Sequence, residues 1–194
     1  MKIGIIPSIK KFYKNQFEYN CDVNLLQFFK KNFKNFNIEI LTFDKKIDTS
    51  FKLIVISGGN DLKIFNRKKK NIIRYNLNNK FYNNSIKMKI PILGICYGAQ
   101  FIASKFKSKI IKKKHIGKHS VVFANNKKII VNSYHNQTIK NLGNQLECLA
   151  KANDESVEYF SHKNKKIIGI MWHPERNKPF KKIDKDIVSK LLWN

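Results

Sequence analysis

Three short segments bring together residue types that could do nucleophilic chemistry. The first is Ile90-Pro91-Ile92-Leu93-Gly94-Ile95-Cys96-Tyr97-Gly98-Ala99-Gln100. An apolar run enters Gly-x-Cys-x-Gly and a helix-forming stretch follows, the pattern of a nucleophile elbow with Cys in place of Ser. Such a turn packs so tightly that the residues two before and two after the nucleophile must be small, and here they are Gly94 and Gly98. A sulfur held at a helix N-terminus is favoured as thiolate by the helix dipole. The competing reading is a buried cysteine on a core strand. The second segment is Gly169-Ile170-Met171-Trp172-His173-Pro174-Glu175. His173 follows an apolar run and Pro174 fixes the chain leaving it. Glu175, two residues on, could orient the imidazole of a base. Taken alone, the triplet also fits a turn histidine beside an exposed glutamate. The third segment, Leu53 to Asp61, ends an apolar run in Gly58-Gly59. Without a Cβ, that backbone could aim an N–H at a developing oxyanion, or it could simply be a tight turn.

These segments need elements to position them. Candidate strands are Ile3–Ile6, Ile38–Leu41, Leu53–Ile56, Ile92–Ile95, Val121–Phe123, Lys128–Val131, Val157–Phe160 and Ile167–Met171. Several are continuous and β-branched, as strands covered on both faces should be. Candidate helices are Cys21–Phe33, Lys68–Tyr82, Ala99–Phe106 and Lys185–Leu192, the first and last with apolar residues at helical spacing. Asn76–Asn84 is polar and reads as a loop or a frayed helix end. Strand–helix alternation in the first half predicts an α/β fold, with a mostly parallel central sheet flanked by helices. Closely spaced strands in the second half predict a small antiparallel portion. No linker or repeat divides the chain, so residues 1–194 are expected to form one domain.

Composition leaves two readings open. The chain has 194 residues, 39 Lys and Arg against 13 Asp and Glu, and a formal net charge of +26. Only Arg67, Arg74 and Arg176 are arginines. Lys, Asn and Ile dominate and all have A/T-rich codons, so genome bias accounts for much of the charge. It does not account for the 85 residues from Leu62 to Leu146, which carry 19 Lys and Arg and no acid. A field of that sign attracts an anionic ligand. Exposed aromatics interleaved with lysine, or a reader motif, would signal nucleic acid, and neither is present. No apolar run reaches the roughly 18 residues that span a bilayer, and the N-terminal run is too short for a signal peptide. Cys21, Cys96 and Cys148 are too scattered for a disulfide framework, and no zinc-type ligand spacing occurs. The expectation is a cytoplasmic protein without metal or cofactor and with neither nucleic-acid nor membrane partner. Oligomeric state is open. His115 and His119, in a basic stretch, read equally as structural or functional, and His162 as inert.

Together, in the order Gly-Gly, Cys elbow, His-Pro-Glu, the segments resemble the class I glutamine amidotransferase family over roughly Lys2 to Trp193. The resemblance implies a flavodoxin-like sheet and a triad of Cys96 as nucleophile, His173 as base and acid, and Glu175 as orienting carboxylate. It implies an oxyanion hole from the N–H groups of Gly59 and Tyr97, with Gln100 helping to hold the glutamyl group. Gly58-Gly59-Asn60-Asp61-Leu62 and Val131-Asn132-Ser133-Tyr134-His135-Asn136-Gln137 are similar to the γ-glutamyl hydrolase branch. There the Gly-Gly turn, with Gly58 and Asn60, and the later loop line the glutamyl pocket. By resemblance, Ser133, Tyr134 and His135 bind the α-amino and α-carboxylate ends. For His135 a partly buried loop histidine is the alternative.

Short members of that branch, associated with bacterial surface-polysaccharide genes, also share a Trp-His-Pro-Glu-Arg ending, here Trp172 to Arg176. They usually carry Arg where this chain has Tyr97. The activity they imply is release of glutamate from γ-glutamyl-CDP-amidate through a thioester on the cysteine. This leaves CDP-amidate (cytidine diphosphoramidate), a donor for capsule phosphoramidate. Arg67 and Arg74, just after the Gly-Gly turn, would then contact the diphosphate. The alternatives are a glutaminase that supplies ammonia to a separate synthetase, or a hydrolase of another γ-glutamyl amide.

Overall fold

The computed structural model describes residues 1–193, so the last residue of the expected domain, Asn194, lies outside the described residues. Five strands form a parallel unit in the order β4 (Asn37–Ile40), β1 (Lys2–Ile6), β5 (Phe51–Ile56), β6 (Ile92–Ile95) and β11 (Ile167–Ile170). The central runs are buried throughout, which is why their sequences are continuous rather than alternating. Side chains still alternate between two cores. Ile54 and Ile56 face helices α2 (Lys69–Lys87) and α3 (Tyr97–Lys105), packing with Leu77, Phe81 and Phe101. Leu53 and Val55 face the opposite way, into the core of α1 (Val23–Asn32) and α4 (Lys182–Trp193), with Phe28, Phe29, Val188 and Leu191.

The antiparallel part is larger than the sequence suggests. β10 (Val157–His162) continues the sheet beside β11, followed by β8 (Lys128–Asn141), β7 (Lys109–Phe123) and β9 (Leu146–Ala152). Because β9 pairs with both β7 and β10, these four strands close on themselves. The apolar runs Val121–Phe123 and Lys128–Val131 are only the adjoining ends of a long hairpin, whose strands hold 15 and 14 residues. Its outer length, rich in Lys, His and Asn, is half-exposed and lacks a strand's apolar signature. The same holds for the exposed hairpin of β2 (Ser8–Tyr13) and β3 (Gln16–Asn20).

Asn76–Asn84 is neither loop nor frayed end but lies inside α2. Leu77, Phe81 and Tyr82 are buried there, and the fully buried Asn78 donates from Nδ2 to Tyr97 Oη at 3.2 Å. Tertiary packing holds a segment whose composition is poor for a helix. Among the described residues no helix is long and apolar enough to cross a membrane.

Candidate active site

The three chemistry-bearing segments leave three adjacent parallel strands at the same edge. β5 runs into Ser57-Gly58-Gly59, β6 into Cys96, and β11 toward His173. Gly94 is in register with both Ile56 and Gly169, so the segments emerge side by side. The carboxyl edge of a parallel sheet is the usual place for such sites.

Cys96 sits between β6 and α3 at φ 52° and ψ −105°, a left-handed conformation that a side chain seldom adopts. Its N–H donates to Ile170 O at 2.8 Å, pinning the turn to the strand that leads to His173. The flanking glycines are sterically required. A Cβ on Gly98 would lie 2.0 Å from Ile56 O, and one on Gly94 would lie 2.6 Å from the Gly98 backbone. Cys96 is buried, at 5% exposure.

His173 Nδ1 is 2.6 Å from Glu175 Oε1, and both residues are buried. A carboxylate only accepts, so Nδ1 carries the proton and Nε2 is left for the sulfur. Burial disfavours the imidazolium, but the charge and hydrogen bonding of Cys96, followed by Glu175, outweigh it and raise the His173 pKa to about 10. The chain around His173 is braced as well. Asn132 on β8 accepts from His173 N–H at 2.9 Å and donates to His173 O at 2.8 Å. Trp172 Nε1 donates to Asp184 Oδ1 at 2.8 Å, and Asn177 Nδ2 donates to Asp184 Oδ2 at 3.0 Å. Asn132 stands in the Val131–Gln137 motif, yet the resemblance gives roles only to its neighbours. Asp184 is legible only as an acid on the apolar face of the last helix.

Gly58 packs on the His173 ring, where a Cβ would come within 2.6 Å of Cε1. Gly59 has φ +84°. Tyr97 is the first residue of α3, where a backbone N–H has no partner within the helix. These positions can supply oxyanion donors. Tyr134 is half-exposed, its ring 5.8 Å from that of His173 and 4.5 Å from the Arg176 guanidinium.

Other expected ligands are turned to the opposite face or already bonded within the protein. Strand alternation lets Asn132 and Tyr134 face His173 but turns Ser133 and His135 to the opposite face. Ser133 Oγ donates to His115 O, and His135 lies against Glu158. Asn60 accepts from Ile9 N–H and donates to Ile9 O, so its amide braces β2. Gln100 Nε2 donates to Gln137 O, tying α3 to β8. Arg74 cannot meet a substrate phosphate: it is fully buried and donates to Ile6 O and Ser57 O at 3.0 and 2.9 Å. Arg67 is exposed. Burial pushes the Cys21 thiol up to about 11 and raises that of Cys148, which disfavours either as a thiolate.

An uncovered groove of about 630 Å³ adjoins the site through Asn132 and Arg176. Lys118, Lys178 and Lys181 also line it, making it cationic.

Residues 11–187 match the family model described as Glutamine amidotransferase class-I. The chain is 42% identical over 155 residues to a gamma-glutamyl-CDP-amidate hydrolase from Campylobacter jejuni, covering 77% of this chain and 76% of the relative. It is 36% identical over 97 residues to a glutamine-hydrolyzing GMP synthase subunit from Picrophilus torridus, about half of each chain. Among solved structures, a glutamine amidotransferase from Thermotoga maritima superimposes with a TM-score of 0.70 at 17% identity, covering 97% of this chain and 82% of that one.

Proposed function

The chain belongs to the class I glutamine amidotransferase family, and from that premise we propose that it hydrolyses a γ-glutamyl amide, with γ-glutamyl-CDP-amidate as its substrate. The observation that carries the chemistry is the buried Glu175–His173 bond beside a cysteine on a left-handed turn. Cys96 thiolate attacks the γ-carbonyl carbon. The Gly59 and Tyr97 N–H groups stabilise the tetrahedral oxyanion. As the C–N bond breaks, His173, oriented by Glu175, protonates the leaving nitrogen. A water deprotonated by His173 then attacks the γ-glutamyl thioester, and glutamate leaves as the sulfur regains its electron pair. The further reading, that the product serves as a phosphoramidate donor for capsule, rests on the sequence resemblance; the C. jejuni relative supports the nucleotide-linked substrate. The cationic groove supports the same reading, offering Lys118, Arg176, Lys178 and Lys181 beside the site to a diphosphate. Arg67 remains a candidate phosphate contact. The family match across residues 11–187 supports one hydrolase domain.

Likeness to the P. torridus GMP synthase component favours a second reading, a glutaminase that passes ammonia to a separate synthetase. It would use the same triad. A panel of glutamine, γ-glutamyl peptides, γ-glutamyl-aminobutyrate and γ-glutamyl-CDP-amidate, assayed for glutamate release by the protein alone, separates the two. The highest kcat/KM is expected with the nucleotide substrate and without a partner. Preference for glutamine, or dependence on a partner, would replace the first reading with the second.

A further inference from the structure

Three histidines and a glutamate converge on the face of the β7–β8 hairpin turned away from His173. His115 and His135 are directly paired across the hairpin, and His119 follows four residues after His115 on the same face. β10 contributes Glu158, which is fully buried. Glu158 Oε1 lies 3.6 Å from His115 Nδ1, 3.5 Å from His119 Nε2 and 3.7 Å from His135 Nε2. These separations are too long for hydrogen bonds. Both Glu158 oxygens, both His135 nitrogens, His115 Nδ1 and His119 Nε2 are buried without a hydrogen-bond partner. A cluster of buried polar atoms that point at one another yet bond to nothing calls for something between them.

A tetrahedral zinc ion with ligands at about 2.0 Å holds those ligand atoms about 3.3 Å apart. The distances around Glu158 Oε1 are slightly wider than that. The donor chemistry is imidazole nitrogen with one carboxylate, the set preferred by zinc and related divalent transition metals over magnesium or calcium. We propose that His115, His119 and Glu158 bind a zinc-class divalent ion, with His135 Nε2 as the fourth donor. The ligating atoms of the first three already lie within 4.8 Å of one another.

The surroundings suit such a site. His115 Nε2 is bonded to Asp154 Oδ2 at 2.8 Å, which leaves Nδ1 for the metal and fixes the ring. Asp154 is itself held by Ser156 N–H and paired with Lys113. A cavity of about 300 Å³, lined by Lys114, His115, Ile116, His119 and Asp154, opens onto the cluster and gives an ion a way in. The sequence hides the set because its members come from β7, β8 and β10. The ion would tie the hairpin that carries Asn132 and Tyr134 to the strand whose Glu158 carbonyl accepts from Met171 N–H at 2.8 Å, two residues before His173.

The test uses the whole protein, expressed with zinc in the medium and analysed for metal after gel filtration. About one zinc per chain is expected. Stripping it with a chelator should lower the Tm, and zinc should restore it. Cobalt added to the stripped protein should give the intense visible bands of a tetrahedral site. His119→Ala changes a partly exposed side chain, so the variant should fold while losing the metal, the Tm response and the bands. Glu158→Gln should lose the same three. A folded wild-type protein that neither retains zinc nor responds to it would overturn the proposal, leaving a His–Glu ion-pair cluster. Zinc binding that survives His119→Ala but vanishes in Cys96→Ala would also overturn it, by locating the metal at the sulfur.

Discussion

His173 Nδ1 and Glu175 Oε1 are 2.6 Å apart in a place sealed from solvent, each residue at 3% exposure or less. Two residues of one short turn thus make a charge-assisted bond that fixes which imidazole nitrogen faces Cys96.

Glu175→Gln keeps the side chain's shape and removes its charge. The amide can donate to Nδ1 and so favours the wrong tautomer. The expected result is a fall in kcat/KM of roughly 10²-fold or more with an unchanged circular dichroism spectrum. Steady-state kinetics on the folded variant would contradict the assignment if activity stayed near wild type.

The raised pKa of His173 fixes the alkaline limb of the pH profile. A raised pKa means the proton is kept at higher pH, so the imidazolium proposed to donate to the leaving nitrogen persists past 6.5, the ordinary imidazole value, and is lost only as pH approaches about 10. The pKa that such a profile reports belongs to the Cys96–His173–Glu175 set rather than to one residue. A kcat/KM profile flat from about pH 7 to about pH 8.5 is expected. A decline centred near 6.5 would show that His173 is not held protonated.

Asn132→Ala removes both bonds to the His173 backbone, leaving the buried N–H unpaired and His173 O with only the Arg176 N–H at 3.2 Å. The expected cost is about 2–4 kcal/mol in urea unfolding. Because the turn that carries His173 also loses its brace, kcat should fall more than KM rises. Unchanged kcat at reduced stability would limit Asn132 to a structural role.

Arg74 and Arg67 should separate stability from binding. Arg74→Ala takes the guanidinium donor from Ser57 O, leaves Ile6 O with only its bonds from Ser57, and opens a cavity, at a cost of about 3 kcal/mol or more. Arg67→Ala should leave unfolding within about 0.5 kcal/mol of wild type and raise KM for a nucleotide substrate more than for glutamine. Equal KM changes for the two substrates would remove Arg67 from the phosphate contacts.

The parallel half of the fold is legible in the sequence because its strands are buried on both faces, and continuous runs such as Leu53–Ile56 and Ile92–Ile95 have few other uses. The elbow is legible because Gly94 and Gly98 are required by contacts of 2.0 to 2.6 Å, a constraint that leaves glycine in the sequence. The hairpin from Lys109 to Asn141 is not. Its stability comes from cross-strand pairing, and its polar residues alternate without an apolar face. Ser133, Tyr134 and His135 therefore read as one loop, whereas strand alternation sends the outer two away from the middle one. The acid-free span misleads in a different way. Of the cations lining the groove beside the site only Lys118 belongs to it, and Arg74, the arginine that suits phosphate by its place in the sequence, is drawn into the core by two backbone carbonyls. The histidine cluster is only partly legible: His115 and His119 stand out in the basic stretch, but its glutamate is 23 residues from His135 in sequence and lies outside that span.

The assignment of Cys96 as the proposed nucleophile is the point on which the whole mechanism turns. Glutamate release from γ-glutamyl-CDP-amidate by Cys96→Ala, set against wild type at equal concentration and with matched unfolding curves, tests it most directly. A loss of roughly 10³-fold or more with the fold intact is expected. Activity within about tenfold of wild type would contradict the assignment, because a γ-glutamyl thioester cannot form without the sulfur.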